Sequence, residues 1–166
     1  MKKMRMIPLL ILLALLVTAG VALAASGNFR AHLNGAQEVP VVLDTRGQGQ
    51  AIFQLNNAGD ELSFRLIVSN IENITMAHIH LAAAGSNGPV VAWLYPAGPP
   101  AQLIPGRHNG VLATGVITSA NLSGPLAGQS LADLVAAMEA GDTYVNVHTS
   151  QYPGGEVRGQ ISGHSH

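Results

Sequence analysis

Three of the seven histidines stand where a β-strand could aim them together. In Thr75-Met76-Ala77-His78-Ile79-His80-Leu81 one residue separates two imidazoles. Side chains two apart on a strand share a face, so His78 and His80 point one way while Ala77, Ile79 and Leu81 point the other. Tyr144-Val145-Asn146-Val147-His148-Thr149 repeats the arrangement, with His148 on the face opposite Val145 and Val147. If the two stretches are neighbours, three imidazoles converge outside the core. Such a set suits copper or zinc better than calcium or magnesium, which prefer oxygen ligands. If they are not, the histidines sit singly on a solvated face.

The same parity applies to the last hairpin. Val145, Val147, Val157 and Ile161 fall on its apolar face, and Tyr144, Asn146, His148, Glu156, Arg158 and Gln160 on the other. If these strands are neighbours, Arg158 lies close to the histidines, where it can pair with Glu156 or brace a loop. His32 reads as a surface residue. His108, between Arg107 and Asn109, reads as loop surface and is the one further histidine placed to be a fourth ligand. His164 and His166 can bind metal only adventitiously from a floppy tail. Glu38, in a Glu-Val-Pro turn, is assigned a turn or strand-end hydrogen bond. No nucleophile elbow or triad is apparent, so a binding role is favoured over catalysis.

The elements that must position these residues follow a leader. Lys2, Lys3 and Arg5, the apolar run Ile7 to Val17 and Ala22-Leu23-Ala24 form the pattern of a secretory signal peptide spanning residues 1–24. Retention as a membrane anchor is the alternative. Cleavage after Ala24 leaves 142 of the 166 residues, the size of one domain. With five arginines, no lysine and nine acids, that domain carries a charge near −4, which argues against nucleic acid. The expected location is secreted or periplasmic, free of the membrane once cleaved. No cysteine is present to form a disulfide, so stability must come from a packed core, with or without a bound metal.

From Phe29 onward, short apolar runs alternate with Gly, Pro, Asn and Asp, the pattern of an antiparallel sandwich or barrel. Strands are expected over 28–34, 49–55, 61–68, the histidine stretch, 90–95, 110–118, 144–149 and 156–162. Asn56 to Asp60 is a hairpin turn, and residues 96–109 read as a long surface loop. One helix is expected over Ser130 to Ala140, with Ser130 and Asp133 as a capping box and Gly141 as terminator. Residues 163–166 read as a disordered tail.

Several segments, in order, resemble the chordin (CHRD) domain family. They are Gly35-Ala36-Gln37-Glu38-Val39-Pro40, Ala77-His78-Ile79-His80, Asn87-Gly88-Pro89-Val90-Val91, Tyr144 to Thr149 and Pro153-Gly154-Gly155-Glu156-Val157-Arg158-Gly159-Gln160-Ile161. The resemblance runs over residues 29–162 and implies an exported, single-domain bacterial member. The His-x-His strand, the late histidine and the Gly-Gly-x-x-Arg-Gly segment are also similar to Cu/Zn superoxide dismutase. That likeness implies a Greek-key β-sandwich or barrel, immunoglobulin-like or dismutase-like. It makes His78, His80 and His148 copper ligands and Arg158 an anion guide. The chain departs from the dismutase pattern in lacking the disulfide cysteines and a bridging-histidine loop with a zinc-ligand aspartate, which speaks against zinc. Three functions follow: an exported copper-binding CHRD protein, a metal-free module that binds an envelope, extracellular-protein or matrix partner, and a dismutase-like oxidoreductase.

Overall fold

The computed structural model describes residues 27–163. The proposed signal peptide and His164 to His166 lie outside the described residues. Strand β1 (Asn28–Asn34) buries Phe29, Ala31 and Leu33 and pairs antiparallel with β2 (Gln48–Leu55), which buries Ala51, Phe53 and Leu55. β2 turns back through Asn56-Asn57-Ala58-Gly59-Asp60 into β3 (Leu62–Leu81). The Asn56 side-chain oxygen accepts from the backbone N–H groups of Asp60 and Glu61, and Gly59 takes φ 77°, so this turn is set by its own residues.

β3 is the spine. It runs for 20 residues where the sequence pattern implies two separate strands. The junction is built by Asn70 and Asn73, at φ 56° and 54°, with ladder irregularities beside them. Asparagine is among the few non-glycine residues that visit the left-handed region readily, so the chain bends here without leaving the sheet. The first half of β3 pairs with β2 and β5 (Ile104–Ile117), and the second half with β4 (Val90–Tyr95) and β6 (Thr143–Thr149). β7 (Val157–Gln160) joins β6 to β1, closing β3, β2, β1, β7 and β6 into an antiparallel barrel.

β5 begins earlier than expected. Residues 104–109, read from sequence as loop, form ladder pairs with β3, including Glu72 with Arg107 and Ile71 with His108. β5 pairs with β3 alone, and an edge strand tolerates the Pro105 and Gly106 that gave this segment its loop-like composition. At the other end, β8 (Ser162–Gly163) pairs with β1, so Gly163 belongs to the sheet rather than the tail.

The helix α1 (Leu131–Glu139) starts at the Ser130–Asp133 capping box, and Gly141 follows its end at φ 75°. Its buried stripe of Leu131, Leu134, Val135 and Met138 joins the strand residues in one hydrophobic cluster. Full burial of each such side chain stabilises the fold by about 1.5–3 kcal/mol.

Candidate metal centre

The β3–β6 ladder sets the centre. Opposite one another stand Met76 and His148, His78 and Asn146, His80 and Tyr144, with no irregularity from Met76 to Leu81. His78, His80 and His148 thus share the face away from Ile79, Val145 and Val147, as the alternation requires. Their ligand-capable nitrogens all lie within 4.8 Å of one another. His78 Nδ1 is 3.2 Å from His148 Nε2. Two imidazole nitrogens each about 2 Å from one ion are about 3–4 Å apart, so small side-chain adjustments suffice to place all three on a single ion.

The second nitrogens decide which atoms are free. His80 Nδ1 is 2.9 Å from the Gly88 carbonyl oxygen, and His148 Nδ1 is 3.0 Å from that of Pro153. A carbonyl only accepts, so each Nδ1 carries the proton and each Nε2 keeps its lone pair. Metal-binding histidines are oriented in this way. The Nε2 atoms of His78 and His80 are buried and have no hydrogen-bond partner. Gly88 packs tightly against the end of β3, where a Cβ would overlap the Leu81 carbonyl.

The face is not solvated. His78, His80 and His148 are 3%, 8% and 6% exposed, because the 82–89 and 150–156 loops fold over them. Trp93, the only tryptophan, sets its ring edge-on to His78 with centroids 4.3 Å apart. Burial, reinforced by the neighbouring imidazoles, pushes His78 down to about 3. Burial likewise lowers His148 to about 4 against the opposing Pro153 hydrogen bond, and lowers His80. All three are neutral near pH 7, the state in which imidazole is a ligand.

Arg158 is 1% exposed. Its guanidinium lies 3.4 Å from the centre of the Tyr144 ring, which also stacks in parallel on His80 at 4.8 Å. It donates to the Ser86 carbonyl at 2.8 Å, to Asn87 Oδ1 at 3.3 Å and to the Ala83 carbonyl at 3.4 Å. Of the roles open to it from sequence, this placement is loop bracing. Glu156 accepts instead from Thr45 Oγ1 at 2.6 Å. Glu38 is buried beneath the same loops and takes a 3.4 Å hydrogen bond from Asn146 Nδ2. Burial raises its carboxyl to about 7, with Arg158 pulling the other way.

His32 is exposed on β1, opposite Gln50. His108 stands on β5 opposite Ile71, with Nε2 3.2 Å from the Val111 carbonyl, and is not a member of the three-histidine group. Sequence reasoning did not single out Gly88, Pro153, Trp93 or Tyr144 as partners of the histidines. Their only sequence signal is position within the Asn87-Gly88-Pro89 and Pro153-Gly154-Gly155 segments or directly across a strand.

A family model described as the CHRD domain matches residues 29–161. The chain belongs to the CHRD domain family. No curated protein and no solved structure matches it. In this CHRD domain the segments that carry the family likeness do structural work around the centre. Glu38 and Gly155 lie against Asn146, Asn87 accepts from Arg158, and Gly88 and Pro153 fix two of the histidines. A Cβ at Gly155, already at φ 127°, would strike both Asn146 and Glu38. The family likeness and the histidine cluster therefore describe one region of the molecule.

Proposed function

We propose that this is an exported CHRD-domain protein that holds a transition-metal ion, copper, between His78, His80 and His148. The observation that carries the reading is a buried trio of neutral imidazoles with ligand nitrogens within 4.8 Å and two ring orientations fixed by backbone carbonyls. An unpartnered buried nitrogen costs free energy, and a metal relieves that cost. A ligand set of three imidazole nitrogens fits copper before calcium or magnesium. Export rests on the basic and apolar leader.

When bound, copper supplies a soft Lewis acid and a one-electron couple. The chain's own residues hold it and exclude water. Trp93 and the two loops cover the histidines, and Tyr144 separates His80 from the Arg158 charge. An anion-guiding role for Arg158, as in a dismutase-like enzyme, draws no support from its burial and loop contacts. Sequestration or delivery of the ion is the use that this geometry favours.

Metal content tests the reading. The full chain, with His164→Ala and His166→Ala to remove the tail's contribution, is expected to carry about one copper per molecule after loading. The same protein with His78→Ala and His80→Ala is expected to carry none. Equal copper in both proteins, or none in either, would overturn the proposal. Mass determination of the exported protein, with the first 24 residues absent, checks export.

A further inference from the structure

We propose that Met76 supplies a thioether donor to the three-histidine cluster and makes it select Cu(I) over Zn(II). The inference deepens the copper-binding reading and rests on it. Met76 stands directly opposite His148 in the β3–β6 ladder, and the ladder is regular from Met76 to Leu81. Met76 therefore shares the face of His78 and His80. Directly opposed residues have Cβ atoms about 4.5–5.5 Å apart, and three rotatable bonds let a methionine sulfur reach across that gap.

What Met76 does not do is equally informative. It is half-buried and stands outside the hydrophobic cluster, although it is one of the most apolar residues on this face. Of the five methionines, Met1, Met4 and Met6 precede the described residues, and Met138 is fully buried in the core. There is no cysteine. Met76 is thus the one soft sulfur among the described residues that is free of the core, and it sits across the ladder from a histidine of the cluster. A thioether is a good ligand for Cu(I) and a poor one for Zn(II), so its presence biases an otherwise all-nitrogen site toward reduced copper.

The test uses Met76→Leu in the full chain carrying His164→Ala and His166→Ala. The substitution conserves volume, so the unfolding midpoint of the metal-free protein is expected to stay unchanged. Cu(I) affinity is read under reducing conditions by competition with a chromophoric chelator, and Zn(II) affinity is read in parallel. Loss of the thioether is expected to weaken Cu(I) by about tenfold or more and Zn(II) by less than about twofold. X-ray absorption of the Cu(I) form should show a sulfur neighbour in the parent and none in Met76→Leu. Equal weakening of both metals, unchanged Cu(I) affinity, or a sulfur signal that survives the substitution would overturn the assignment of Met76. A parent protein that binds no Cu(I) would instead overturn the three-histidine reading itself.

Discussion

The two halves of β3 obey the same alternation and meet different fates. In the first half, Leu62, Leu66 and Val68 are buried, and the opposite face shows Ser63 and Arg65 to solvent. In the second half, Ile74, Ala77 and Ile79 are buried, and so are His78 and His80 on the other side. The polar face becomes a second interior only where the 82–89 and 150–156 loops cover it. Strand pattern separates apolar from polar faces; the covering loops decide whether a polar face is wet.

The largest test of this contrast compares two arginines. Arg158→Ala removes the donors that hold the 83–87 carbonyls and the charge that faces buried Glu38, at a cost of about 3 kcal/mol or more. Arg65→Ala, on the exposed half of the same barrel, should change stability by less than about 0.5 kcal/mol. Denaturant midpoints measure both. Similar losses for the two would mean that the roof over the histidines contributes nothing.

Acid should sharpen the contrast next. Unfolded histidines take up protons below their ordinary 6.5, whereas His78 and His148 resist until about 3 and about 4. The unfolded state therefore binds more protons through that window, and stability falls as pH drops. Glu38, raised from 4.5 to about 7, acts oppositely because the folded state holds its proton over that range. Three lowered histidines outweigh one raised carboxyl, so the metal-free protein should lose stability between pH 6.5 and pH 4. A flat or rising midpoint across that range would show that the histidine face is open to water.

The smallest effect lies at the junction of the halves. Asn70→Ala forces alanine into φ 56° and should cost about 1 kcal/mol, while Asn70→Gly should be nearly neutral. Equal effects of the two would mean that the bend is not held by this backbone conformation.

Much of this was legible in the sequence. Alternation placed His78, His80 and His148 on one side of their strands, and the Ser130–Asp133 box marked the helix start. The continuity of β3 was hidden because its two apolar runs, 61–68 and the histidine stretch, read as separate strands, whereas Asn70 and Asn73 between them bend one strand. The onset of β5 was hidden because Pro105 and Gly106 read as loop, although an edge strand accepts both. The burial of the histidines was hidden for another reason. Gly88 is eight residues from His80, Pro153 is five from His148, and Glu38 is 108 from Asn146. No local periodicity encodes contacts of that kind.

The carbonyls of Gly88 and Pro153 have one more consequence. Each ties a ring of the cluster to a covering loop, so movement of either loop would also reorient a ring of the cluster. Under the metal-binding proposal, exchange of the ion would be coupled to movement of the 82–89 and 150–156 loops rather than set by ligand strength alone.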